Sequence, residues 1–127
     1  MRTERFKINY PSSPAERKRW NKFYGLNSIY SGKHWSKRNE DKQFWHYITR
    51  HALQEAGIRH KTFQRPVRIS FWWNSALDLD NEAYMRKMII DSLHSWLIEN
   101  DSKRYVKELC DYCHEEPYIL VEVREVK

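Results

Sequence analysis

Glycine and proline are scarce. Only 3 glycines and 4 prolines occur in 127 residues, too few for a flexible linker or a low-complexity tail. Two cysteines are too few for a disulfide scaffold. No apolar run approaches the roughly 18–20 residues that cross a bilayer, so no membrane association is expected. The opening stretch Met1-Arg2-Thr3-Glu4-Arg5 carries charge with no apolar segment behind it. A protein without a secretory signal is therefore expected, and with two thiols its expected location is a reducing cytoplasm. The length suits a single domain over residues 1–127, which on folding hides roughly two-thirds of the surface its unfolded chain exposes.

Charge, by contrast, is plentiful and unevenly spread. The chain holds 23 Lys and Arg against 17 Asp and Glu, a net +6. Residues 1–70 carry 16 basic and 5 acidic side chains, and residues 71–127 carry 7 and 12. A first half of net +11 beside a second half of net −5 suggests a surface for a polyanion and a separate group of carboxylates. Composition alone is equally consistent with ordinary surface charge.

The hydrophobic pattern predicts a small α+β fold. Phe6, Ile8 and Tyr10 alternate with polar residues over 4–10, a short strand closed by Pro11. Residues 11–35 read as irregular, with Arg17, Lys18, Arg19, Lys22 and Lys33 among Trp20, Phe23, Tyr24, Tyr30 and Trp35. A helix is predicted from Ser36, its N-cap, to Ala56, with Phe44, Trp45, Ile48, Ala52, Leu53 and Ala56 on one face and Gly57 as the stop. Val67, Ile69, Phe71 and Trp73 then form the apolar side of a strand. A second helix is predicted over 80–98, its stripe being Met85, Ile89, Ile90, Leu93, Trp96 and Leu97. The C-terminus reads as a hairpin with arms at 104–112 and 118–126. The expected order is strand, helix, strand, helix, strand, strand: a small mixed β-sheet packed with two main helices.

Asp78-Leu79-Asp80-Asn81 stands where the apolar strand gives way to the second helix. In an extended segment residues i and i+2 point the same way, so both carboxylates can converge. Held close, they repel unless a cation sits between them, and hard oxygen ligands are those Mg²⁺ takes. The alternative gives Asp80 the work of an N-cap. Asp80, Tyr84, Lys87 and Asp91 share one edge of the helix. Lys87 can reach back toward Asp80 or pair with Asp91. Glu99-Asn100-Asp101-Ser102 supplies a further carboxylate beyond that helix.

Taken in order, Asp78-Leu79-Asp80-Asn81, Lys87-Met88-Ile89-Ile90-Asp91-Ser92-Leu93 and Asn100-Asp101-Ser102 resemble the RusA family of Holliday-junction resolvases. That family carries a D-L-D-N motif, a K-x-x-x-D-x-L helix and a D-D-S turn. Tyr30-Ser31-Gly32-Lys33-His34-Trp35-Ser36-Lys37-Arg38 is similar to an N-terminal stretch of phage members. The resemblance runs from about residue 28 to the end.

It implies a homodimeric endonuclease that resolves four-way DNA junctions by paired nicks, using Mg²⁺ with Mn²⁺ as a possible substitute. Asp78, Asp80 and Asp101 would hold the metal and Lys87 would act as the catalytic lysine. Lys33, His34, Lys37 and Arg38 would contact DNA; His34 equally needs no role beyond its place before a helix. Two departures stand out. The lysine of better-known members follows the second aspartate by four residues, where this chain has Tyr84, and the first Asp of D-D-S is Asn100. The alternative function is a non-catalytic basic protein that binds branched DNA or RNA. The five aromatics of residues 20–35 would stack on unpaired bases, or else belong to the core or a dimer interface.

Cys110-Asp111-Tyr112-Cys113-His114 has the C-x-x-C-H form of haem attachment, but such attachment requires export, so no haem is expected. A zinc site needs four ligands. No second C-x-x-C exists and the remaining histidines show no paired ligand spacing, which leaves two thiols without a cofactor.

Overall fold

The structure, a computed structural model, describes residues 1–126; Lys127, the last residue of the expected domain, lies outside the described residues. Along the chain run β1 (Thr3–Asn9), α1 (Pro14–Tyr24), α2 (Asn27–Tyr30), α3 (Trp35–Glu55), β2 (Val67–Trp73), α4 (Ala83–Ser92), β3 (Val106–Cys113) and β4 (Tyr118–Glu125). A 3₁₀ turn, Leu79–Glu82, leads into α4. The strands form one mixed sheet in the order β1-β4-β2-β3. β4 is antiparallel to β1 and β2, while β2 and β3 are parallel. The α+β class is as expected. No helix among the described residues is long and apolar enough to cross a membrane.

The predicted C-terminal hairpin is corrected, because β2 lies between its two arms. Val67, Ile69, Ser70, Phe71 and Trp73 are all buried. A strand so far from water needs a neighbour on each edge to satisfy its backbone groups, and β3 and β4 supply them. Residues 114–117 cross the end of β2, where the His114 N–H donates to the Trp73 carbonyl at 3.0 Å.

On one face of the sheet, Phe6, Val121 and Phe71 lie side by side across β1, β4 and β2, with Val123 beside Ile69. They share a single core with Trp45, Ala52 and Leu53 of α3 and with Met85, Met88 and Ile89 of α4. Of the stripe predicted on the first long helix, Trp45, Ala52 and Leu53 are buried and Ile48 partly so, while Phe44 and Ala56 are exposed. Every residue of the second stripe is buried.

Three local expectations change. Residues 11–35 are not irregular throughout: Ser13 Oγ accepts from the Glu16 N–H at 3.1 Å and Pro14 opens α1, both helix-starting devices. At the head of α3 the cap is His34, not Ser36, with the His34 Nδ1 accepting from the Ser36 N–H at 3.2 Å. The second main helix ends at Ser92 rather than 98. Ser95 turns the chain at φ 65°, and the Arg50 guanidinium of α3 takes the carbonyls of Ser92 and His94 at 3.3 and 2.9 Å. Leu93, Trp96, Leu97 and Ile98 stay buried in the turn, so the apolar pattern outruns the helix.

Candidate functional site

The segment between β2 and α4 is anchored from below. Asp78 is in extended backbone at the head of the 3₁₀ turn, and its carbonyl accepts from the Asn81 N–H at 2.9 Å. Asp78 and Asp80 are both exposed, whereas Glu82 is 1% exposed. Glu82 Oε1 bonds the Ser75 hydroxyl and Oε2 has no partner. Burial pushes its carboxyl up to about 7, against the opposing pull of the Ser75 bond. Further along the helix, Arg86 pairs with Asp111 of β3, which also accepts from Trp73 Nε1 at 2.9 Å. This network fastens the start of α4 to the sheet and leaves Asp78 and Asp80 facing water.

At the other end of α4 the turn through Ser95 brings the following loop back. Asp91, His94 and Asp101 can each offer one ligand atom, all within 4.8 Å of one another. His94 Nε2 is buried without a hydrogen bond and lies 3.9 Å from Asp101 Oδ1, too far for a hydrogen bond. Asn100 is no donor to this group; its Oδ1 accepts from the Ser102 N–H at 2.9 Å and shapes the turn that presents Asp101. Lys87 is exposed, with Nζ 4.0 Å from Asp91 Oδ2. Of its two expected partners, Asp80 and Asp91, it faces the second.

The structure therefore does not gather Asp78, Asp80 and Asp101 into one such cluster. The two carboxylates before α4 offer hard oxygens only, the donors that Mg²⁺ takes beside phosphate oxygens and water. Asp91, His94 and Asp101 add an imidazole, which suits Mn²⁺ and later transition ions better than Mg²⁺. His94 and Asp91 were not singled out as ligands, although within the helix predicted over 80–98 their i, i+3 spacing was a usable signal; the structure brings them together across the end of α4 instead.

Of the four expected DNA contacts, three face outward and one does not. His34, Lys37 and Arg38 are exposed. Lys33 is turned inward: its ammonium pairs with Asp41 and donates to the Phe23 carbonyl at 2.6 Å. Lys33, His34 and Lys37 line a cleft of about 840 Å³ together with Lys22 and Asn81, the neighbour of Asp80. The Leu26 N–H donates to the Asn81 carbonyl at 3.0 Å, which seats the α1–α2 turn on the aspartate-bearing segment. Along α1, Arg17, Lys18, Arg19 and Lys22 are exposed as well.

The five aromatics of residues 20–35 divide cleanly. Trp20 is buried, 4.9 Å between ring centres from Trp45, and Tyr24 packs against both. Phe23, Tyr30 and Trp35 are exposed. Cys110 and Cys113 pair with Ser70 and Trp73 of β2, so strand alternation puts them on opposite faces of the sheet. They cannot share an ion. Compared with protein-family models and with curated proteins, the chain matches none.

Proposed function

We propose that this protein is a divalent-metal-dependent endonuclease that nicks branched DNA, acting as a homodimer so that two equivalent sites cut symmetric strands. The observation that carries the reading is the cleft lined by Asn81, the neighbour of Asp80, and by Lys22, Lys33, His34 and Lys37; its two carboxylates, Asp41 and Glu40, are paired with Lys33 and Lys37. Carboxylates next to a cationic groove are the pairing that metal-assisted phosphodiester hydrolysis requires: donors for the ion, and cations that hold a phosphate backbone beside them. The ordered motifs from Asp78 to Ser102 support the same class of reaction.

In this reading Asp78 and Asp80 would hold Mg²⁺, while Asp101, grouped with Asp91 and His94 at the other end of α4, lies outside that pair. A bound divalent ion supplies a water of lowered pKa and neutralises charge on the scissile phosphate. The chain does the rest. His34 and Arg38 would grip the backbone, joined by Lys37 once phosphate displaces its weak surface pair with Glu40. Lys87, exposed and 4.0 Å from Asp91, would offer its ammonium to the phosphate as negative charge builds there. Lys33 neutralises Asp41, which keeps one carboxylate of α3 from repelling DNA.

The spread of the aspartates over both ends of α4 favours a second reading, a basic protein that binds branched DNA without cutting it. A synthetic four-way junction and a linear duplex of equal length, each incubated with and without Mg²⁺, separate the two. Nicks on the junction alone, and only with the ion, are expected. Tight junction binding with no nicks in Mg²⁺ or Mn²⁺ selects the binding protein.

A further inference from the structure

We infer that a second cleft, between α2, the start of α3 and the first turns of α4, receives one unstacked nucleotide of single-stranded DNA. The inference rests on the reading of the chain as a DNA-acting protein and names what that surface recognises. This cleft measures about 700 Å³ and is lined by Leu26 and Ile29 on its apolar side and by Trp35, Arg38, Lys42 and Lys87. Its size lies in the range of sites that bury a small ligand.

Three features point to a base with its phosphates. Trp35 is 68% exposed, whereas Trp20, Trp45, Trp73 and Trp96 are each at most 8% exposed and Trp72 is partly covered. The Trp35 indole lies 5.7 Å between ring centres from His34, tilted by 33°, and is otherwise left in water at the mouth of the cleft, open to stack on a base. Trp35, Arg38 and Lys42 follow at i, i+3 and i+7, so they share one face of α3 over about 10 Å, the span of a nucleotide and its flanking phosphates. No carboxylate lines the cleft. Nearby cations of the same segment are occupied by partners, Lys33 by Asp41 and Lys37 by Glu40, but Arg38 and Lys42 make no ion pair among the described residues. A flat aromatic flanked by unpaired cations fits a base and its anionic backbone, and fits neither an acidic cation site nor a purely apolar guest.

Binding of 5′-labelled pentathymidylate, followed by anisotropy in EDTA so that nothing is cut, tests this directly. An abasic pentamer of the same charge serves as the probe for phosphate binding alone. The thymidylate is expected to bind about tenfold more tightly than the abasic strand, the scale of one base on one aromatic ring. Trp35→Ala should erase that difference and Trp35→Phe should keep most of it. Arg38→Gln with Lys42→Gln should lower the salt slope by about 0.7 for each phosphate that is no longer neutralised. Equal binding of the two strands, or a Trp35→Ala variant that still prefers the thymidylate, overturns the proposal. So does a dimer whose formation shields Trp35 and excludes both strands. Because the assay involves no cleavage, retained strand binding by a protein that never nicks a junction would sink the nuclease reading and leave this site standing.

Discussion

Tyr84 donates its hydroxyl hydrogen to Asp41 at 2.6 Å, and the Lys33 ammonium pairs with the same carboxylate. Helix α4 is thereby tied to α3 and to the loop before it. Lys33 Nζ lies 5.2 Å from the centre of the Tyr84 ring and 5.6 Å from that of Tyr24. Burial, and then the Asp41 charge, push the Tyr24 phenol up to about 12; burial and the bond to Asp41 raise that of Tyr84 as well. Both therefore remain protonated at neutral pH. Tyr84→Phe removes one hydrogen bond to a charged acceptor and should cost about 1.5–3 kcal/mol. Urea unfolding measures it; an unchanged midpoint would show that the tie carries no weight.

Lys87→Ala separates rate from stability. The Lys87–Asp91 pair is exposed and long at 4.0 Å, so its loss should alter stability by less than about 1 kcal/mol. If the ammonium stabilises the transition state, junction nicking should slow by up to about 10²–10³-fold. Single-turnover cleavage and thermal unfolding of the same preparation check both. A rate within about threefold of wild type, far short of that loss, would remove Lys87 from the catalytic group.

Glu82 makes the fold sensitive to pH. Its carboxyl titrates near 4.5 in the unfolded chain and near 7 in the fold, because burial disfavours the charged form. Between those values the native state keeps a proton that the unfolded state has released. Stability therefore falls as pH rises through that window, by about 3 kcal/mol at most. Glu82→Gln, permanently neutral, should flatten that dependence between pH 4.5 and 7. Urea unfolding across the window decides, and an equally steep profile in the variant would mean that the slope arises elsewhere.

Cys110 and Cys113 stand on opposite faces of β3, so they should not join in a disulfide within one chain. Thiol titration of the native protein after mild oxidation should find no internal bridge, and intact mass should agree. Replacing both with serine should leave unfolding unchanged. An internal disulfide in the folded monomer would contradict the register of β2 and β3.

Much of the fold was legible where burial follows a simple period. Val67, Ile69, Phe71 and Trp73 alternate and are buried, and the stripe from Met85 to Leu97 is buried throughout. Strand adjacency was not legible: alternation in residues 118–126 marks a strand but not its neighbours, and only the near-complete burial of β2 requires one on each side. The end of α4 was hidden because Leu93, Trp96 and Leu97 keep the helical spacing while packed in a turn. Signals for α1 were present in Ser13, Pro14 and Glu16, but so dense a mixture of cations and aromatics also suits a functional loop. At the site, Asp78 and Asp80 could be singled out from their spacing. Lys33 could not be seen to face inward, since its partner Asp41 is reached only through the turn between α2 and α3. The grouping of Asp101 with Asp91 and His94 depends likewise on the backward turn at Ser95.

The central claim, that carboxylates at the head of α4 cut branched DNA, is tested most directly by one comparison. Wild-type protein and the Asp78→Asn/Asp80→Asn variant are incubated with a mobile four-way junction in Mg²⁺, with junction binding measured alongside in EDTA. Paired symmetric nicks by the wild type are expected and none by the variant, which should bind as well or more tightly because two negative charges facing DNA are gone. Nicking by the variant at the wild-type rate would contradict it.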